Sequence, residues 1–96
     1  NGHALYEKPN ENGEINDDAR IEFMQSYLDW LIKAENEGCN VNGYFAWSAI
    51  DLLSWLNGYK KQYGFIYVDH KKNLERKRKM SFYWYKFIIE SRGENL

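Results

Sequence analysis

A chain of 96 residues is at most one small domain, and an aromatic content of 18%, with four Trp and eight Tyr, excludes a disordered tail. A chain this short buries only about 60–65% of its unfolded surface, so an aromatic load of this size calls for a partner surface. The net charge of −1 hides an asymmetry: residues 1–40 carry nine acidic and three basic side chains, whereas residues 60–92 carry ten basic and three acidic. A basic half suits an anionic ligand or partner, although most such charges form a solvated face.

The single cysteine, Cys39, gives neither a disulfide framework nor a zinc set and reads as a small buried hydrophobe. No apolar run is long enough to span a bilayer and no signal peptide is expected, so no membrane partner is expected and the cytoplasm is the expected compartment. The first residue is not Met, and the natural start is expected upstream.

Residues 1–16 are punctuated by Asn1-Gly2, Pro9-Asn10 and Asn12-Gly13 and read as a loop, with a small hairpin around Asn12-Gly13. Residues 17–38 read as a helix. Asp17 or Asp18 can cap it, Ile21, Met24, Leu28 and Leu31 recur at spacings of three and four, and Gly38 can take the left-handed position past its end. Residues 41–48 are short and aromatic and fit a buried strand. Residues 49–79 begin irregularly around Asn57-Gly58, pass through a short strand from Tyr63 to Val68, and end in a basic loop over 71–79. Residues 80–92 read as a last helix with Met80, Tyr83, Trp84, Phe87 and Ile88 on one stripe, closed by Gly93.

Strands alternating with helices predict an α/β fold with a parallel sheet. One such repeat cannot close a sheet, and a lone strand leaves its backbone groups unpaired. The chain therefore reads as part of a larger body, whose open sheet edges offer a route to self-association.

Several separate blocks become specific together. They are Asn40-Val41-Asn42-Gly43-Tyr44-Phe45-Ala46-Trp47-Ser48 with Asp51; Ser54-Trp55 and Asn57-Gly58-Tyr59; Tyr63-Gly64-Phe65-Ile66-Tyr67-Val68-Asp69; and Lys79, Ser81 and Trp84-Tyr85, with Asp17 and Arg20-Ile21 earlier. In this order and spacing they resemble glycoside hydrolase family 1, the retaining β-glycosidases. The resemblance implies the C-terminal part of an eight-stranded (β/α)8 TIM barrel, supplying the loop after strand 7, helix 7, strand 8, the substrate loop and helix 8. It also implies double displacement by two glutamates, with no metal or redox cofactor. The family's nucleophile lies in a Glu-Asn-Gly motif. Glu11-Asn12-Gly13 has those letters but stands only nine residues before Arg20, whereas Asn1-Gly2 stands about where the family places the motif. The nucleophile is thus expected just before Asn1 and the acid/base glutamate further upstream. The 96 residues then carry no catalytic residue and are expected to be inactive alone.

What the resemblance leaves to this chain is substrate recognition. Trp47 corresponds to the aromatic floor under the cleaved sugar, where an indole face suits the apolar side of a pyranose. Ser54 stands where β-glucosidases of the family carry a glutamate. A 6-phosphate would meet that carboxylate as a like charge, and serine replaces the repulsion with a donor. Ser54, Lys61 and Tyr63 together resemble the phosphate site of the 6-phospho-β-glycosidase branch, and Trp55 resembles the galactoside type. Leu52-Leu53 and Gln62 depart from the family pattern, which expects Asn-Phe and Arg at these positions, and this leaves the fine sugar preference open.

The expected parent is a 6-phospho-β-galactosidase acting on a small phosphorylated sugar, with dual acceptance of 6-phospho-β-glucosides or a true 6-phospho-β-glucosidase as alternatives. A free-standing sugar-phosphate-binding module is the rival from another class. Nucleic-acid binding rests only on the basic run at Lys71, Lys72, Arg76, Lys77, Arg78 and Lys79, with no groove-reading motif, and that run reads as a solvated loop. His3 and His70 have no catalytic frame and read as surface residues.

Overall fold

A computed structural model of the chain describes residues 1–94 and 96. Four elements appear in the order α1 (Asp18–Asn36), β1 (Ile66–Asp69), β2 (Glu75–Arg78) and α2 (Met80–Glu90). Arg20, Met24 and Leu28 of α1 are buried, one turn apart along its inner face, while Ile21 and Leu31 are half-buried at its sides. Asp17 occupies the N-cap position but makes no capping bond, because its carboxylate turns inward to Arg20 and Ser81. At the other end Gly38 has φ 104°. The Gly38 amide donates to the Glu35 carbonyl at 3.0 Å and the Cys39 amide to that of Ala34 at 3.0 Å, the double closure of a left-handed C-terminal cap. Cys39 lies just past this cap with nothing packed over it and is exposed, contrary to its reading as a buried hydrophobe.

Residues 41–46 pair in no ladder, and Phe45 is exposed. A strand needs backbone on its edges. Here the run meets one partner at its end, where the Trp47 amide donates to the Asn1 carbonyl at 2.9 Å and Gly2 bridges Trp47 in parallel. This single parallel bridge joins the chain before α1 to the chain after it, the sense that a β-α-β connection has. A second parallel bridge, Ile50 to Ile66, carries the arrangement onward.

The basic segment expected to be a loop contains a strand instead. β1 and β2 pair antiparallel with Ile66 opposite Arg78, Tyr67 opposite Lys77, Val68 opposite Arg76 and Asp69 opposite Glu75. The reversal uses positive φ at Asn73 (56°) and Leu74 (60°). The signal was hidden because Glu75, Arg76 and Arg78 are exposed and Lys77 half-buried, so β2 shows no hydrophobic alternation. The Asn12-Gly13 hairpin is a tight turn without strands: the Asn10 amide donates to the Glu14 carbonyl at 2.8 Å, and Gly13 has φ 75°.

The stripe expected on α2 is rotated. Ser81 and Ile88 are buried, Trp84 and Tyr85 half-buried, and Tyr83 and Phe87 more than half exposed. The inner side faces α1 and Phe65, whose ring stacks on Tyr85 at 4.9 Å. Tyr83 and Phe87 lie away from that contact. Between α2 and the run over residues 41–46 lies an apolar groove of about 580 Å³ that includes Phe45, Ile66, Phe82, Tyr85 and Ile89. The radius of gyration is 14.6 Å, against about 12.5 Å for a compact domain of this length. The molecule measures 48 × 30 × 17 Å, a flattened slab.

Two glycines permit backbone to meet backbone. A Cβ at Gly2 would lie 2.7 Å from the Trp47 carbonyl oxygen, and one at Gly64 would lie 2.3 Å from the Ile50 carbonyl carbon. The second contact holds residues 63–66 against 48–51, so it fixes the loop described next. Gly64→Ala in the intact protein should cost about 3 kcal/mol or more of stability, since two backbones cannot give way as a side-chain tip can. Urea unfolding of the variant measures this.

Candidate functional site: an aromatic cavity on a buried ionic base

The polar residues that mark the chain most specifically meet in the interior. The Arg20 guanidinium Nη1 lies 2.6 Å from Asp17 Oδ2 and 3.0 Å from Glu7 Oε1. The Lys79 ammonium lies 2.6 Å from Glu7 Oε1 and 2.7 Å from Asp51 Oδ1. Asp51 also accepts from the Gly64 amide at 2.9 Å and the Val68 amide at 3.3 Å, and Asp17 accepts from both the amide and the hydroxyl of Ser81. Arg20, Lys79 and Ser81 are the most deeply buried side chains described.

Three carboxylates thus share two cations. Burial holds the Glu7 carboxyl above its ordinary value, and the hydrogen bond and charge of Lys79, with the charge of Arg20, offset this only in part. Arg20 Nε has no partner among the described residues. His3 is half-buried rather than at the surface. It stacks on Phe23 at 4.5 Å, and burial, then the Arg20 charge, holds its imidazole below the ordinary value. His70 is exposed beside Tyr59, with ring centres 4.4 Å apart.

This base carries the loop over residues 51–63. Asp51 and Gly64 anchor its two ends, and within it Ser54 and Gly58 exchange backbone bonds at 2.8 and 2.9 Å. The Ser54 hydroxyl accepts from the Leu56 and Asn57 amides at 3.2 Å each. The Tyr63 hydroxyl donates to Ser54 Oγ at 3.3 Å and accepts from Asn57 Nδ2 at 2.8 Å. Hydrogen bonding with Ser54 first, whose hydroxyl can turn to donate to the phenolate, then with the Asn57 amide, and last the Lys61 charge, hold the Tyr63 phenol below its ordinary value.

A cavity of about 400 Å³ opens over this cluster, lined by Trp47, Leu52, Leu53, Ser54, Trp55, Leu56 and Tyr63. Four of the five residues singled out from the sequence therefore share one cavity. Trp55 is fully exposed and Trp47 more than half so, which leaves both indole faces open. Lys61 does not line the cavity: its ammonium lies over the Tyr6 ring, 5.5 Å from the centroid. Asn57 was missed as a polar member of the cluster, because Asn57-Gly58 is fully explained as a turn signal. Among the described residues no carboxylate lines the cavity, and Glu11 is exposed in the turn over residues 10–14.

The model of glycosyl hydrolase family 1 matches residues 1–94, and the chain belongs to that family. An aryl-phospho-β-D-glucosidase of Bacillus subtilis (strain 168) is 44% identical over 100 residues, covering 100% of this chain and 21% of the relative. A 6-phospho-β-galactosidase of Clostridium acetobutylicum is 47% identical over 83 residues, covering 86% of this chain and 17% of the relative. Among solved structures, a family 1 β-glucosidase from Thermotoga maritima superposes with a TM-score of 0.92 at 35% identity, covering 97% of this chain and 21% of that one. The chain thus spans about a fifth of the length of the proteins it matches. Among the described residues no helix is long and apolar enough to cross a membrane.

Proposed function

We propose that the chain is the strand 8 and helix 8 portion, with the preceding loop and helix 7, of a retaining glycosidase barrel that hydrolyses 6-phospho-β-galactosides. The observation that carries this reading is the hydroxyl and amide cluster of Ser54, Asn57 and Tyr63 at the base of a cavity flanked by two open indoles. Trp47 takes the apolar face of the sugar, and Trp55 offers its indole N–H to a ring hydroxyl. Ser54 and Tyr63 donate to the phosphate, and Lys61 swings from Tyr6 to supply the positive charge. A four-carbon stem with free rotors makes that movement inexpensive.

Retention at the anomeric carbon needs two carboxyl groups about 5–5.5 Å apart across the scissile bond. Glu7, Asp17 and Asp51 are engaged in the buried ionic cluster. Among the described residues no carboxylate lines the cavity, so on this reading the 96 residues alone are inactive and both glutamates come from residues preceding Asn1. The exposed groove beside α2 gives the isolated chain a surface for self-association.

A second reading, a 6-phospho-β-glucosidase or an enzyme of dual preference, is favoured by one comparison: the relative matched over 100% of this chain is an aryl-phospho-β-D-glucosidase. Both readings use the same phosphate cluster and differ at Trp55. The deciding experiment measures kcat/KM of the intact enzyme on chromogenic β-galactoside and β-glucoside, each with and without a 6-phosphate. Preference for the phosphorylated pair is the expected result, and the better sugar assigns Trp55. Equal or better turnover of the plain sugars would remove the phosphate reading while leaving the family intact.

A further inference from the structure

The residue between the two proposed phosphate ligands is held more firmly than either of them. The Gln62 amide donates to the Leu5 carbonyl at 2.6 Å, and the Leu5 amide donates back to the Gln62 carbonyl at 2.9 Å. The Gln62 side-chain carbonyl accepts from the Glu7 amide at 2.8 Å. Arg20 Nη2 then donates to two carbonyls at once, that of Gln62 at 2.8 Å and that of His3 at 3.2 Å. One buried guanidinium thus ties residues 3–7 to residue 62, and Gln62 adds its own side chain as a further tie. The backbone bridge is antiparallel, with Leu5 opposite Gln62.

The alternation of side chains along an extended backbone gives this clip a consequence for the cavity. Glu7 turns its carboxylate into the ionic cluster, and Gln62, opposite Leu5 and bonded to the Glu7 amide, shares that side of the pairing, so the neighbours of Gln62 turn the other way. That is what Lys61 and Tyr63 do: Lys61 lies on Tyr6, the residue it faces across the bridge, and Tyr63 reaches Ser54. A slip of one residue in this pairing would send both side chains inward and bring Gln62 out. Lys61 is a flexible point charge, and the direction of its stem decides whether its ammonium can reach an anion beside Tyr63.

We propose that Gln62 is a positioning residue for recognition of the phosphorylated sugar: by locking its side-chain carbonyl to the Glu7 amide it fixes the register that presents Lys61 and Tyr63 together. The inference rests on the phosphate role of Ser54, Lys61 and Tyr63 given above. Gln62 touches no substrate atom itself, so its effect should appear in the affinity for the phosphate and leave the chemical step alone.

Gln62→Met keeps length and approximate volume and removes the side-chain amide, the acceptor to the Glu7 amide included. In the intact enzyme it should raise KM for the 6-phosphorylated substrate about ten-fold, with kcat and the constants for the plain sugar within about two-fold of wild type. Its unfolding temperature should stay close to that of wild type. An equal loss on phosphorylated and plain substrates, or no change on either, would overturn the proposal. So would a variant that fails to fold, since Gln62 would then be a determinant of folding rather than of position. A wild-type enzyme indifferent to the 6-phosphate is a different outcome: it removes the phosphate site on which the inference rests, before any variant is compared.

Discussion

Lys79→Met in the intact enzyme should lower the stability to unfolding by about 3–5 kcal/mol, the largest loss expected from any single change in this region. The ammonium is completely buried, and it neutralises Glu7 and Asp51 at 2.6 and 2.7 Å. Methionine fills most of the same space but leaves two carboxylates facing one another across a site from which water is excluded. The control is Lys86→Met: Lys86 and Glu90 form an exposed pair at 3.9 Å, and its loss should cost well under about 1 kcal/mol.

The deficit should also depend on pH, in a direction that follows from Glu7. Burial already holds this carboxyl above its ordinary value despite Lys79. A raised carboxyl binds its proton more readily in the folded protein than in the unfolded one. Its contribution to stability is therefore greatest below the unfolded pKa and falls as pH rises through the folded one. Removing Lys79 raises the folded value further, so the variant should lose most stability at neutral pH and recover part of it as the pH is lowered into the carboxylate range. Urea unfolding at several pH values measures this. A deficit independent of pH would mean that lost packing, and not unpaired charge, is the cause.

The buried base was legible in the sequence as a set of residue identities but not as a structure. Asp17, Arg20, Asp51, Lys79 and Ser81 were all among the matching positions, and nothing in their spacing says that they converge. They come from three separate segments, and hydrophobic periodicity carries no information about where a buried charge finds its partner. Glu7 escaped notice because one carboxylate in a turn-rich acidic stretch looks solvated. The two helices were readable because 3.6-residue periodicity is a local signal. The side of α2 that faces inward was not, because its apolar residues run nearly all the way round. The run expected as a strand over residues 41–48 pairs at Trp47 alone: strand propensity is local, but a ladder forms only against a neighbour, and little backbone lies beside this run. β2 was hidden by its charge, as an edge strand with outward lysine and arginine usually is. In the candidate site, Trp47, Ser54, Trp55 and Tyr63 do gather around one cavity. Lys61 stands apart because a long exposed side chain takes its position from whatever it next contacts, here the Tyr6 ring.

Ser54→Glu should lower kcat/KM of the intact enzyme on 6-phosphorylated substrates about a thousand-fold, while plain glycosides change far less. A carboxylate about 4 Å from a phosphate oxygen costs about 4 kcal/mol at an effective dielectric near 20, and each 1.36 kcal/mol is a factor of about ten in rate. The geometry adds a second, smaller loss that must be separated from the first. Ser54 Oγ also accepts from the Leu56 and Asn57 amides, and its backbone closes the turn with Gly58. Any substitution there loosens the loop by about 1 kcal/mol and affects all substrates alike. Ser54→Ala isolates that shared part. It removes the turn contacts and one donor without adding charge, so it should lower turnover of phosphorylated substrates about ten-fold and that of plain ones less. The diagnostic quantity is therefore the ratio of phosphorylated to plain kcat/KM, which should fall modestly in Ser54→Ala and by a further two orders of magnitude or so in Ser54→Glu. If the ratio is the same in the two variants, the charge at position 54 does not face the phosphate, and Ser54 serves the turn alone.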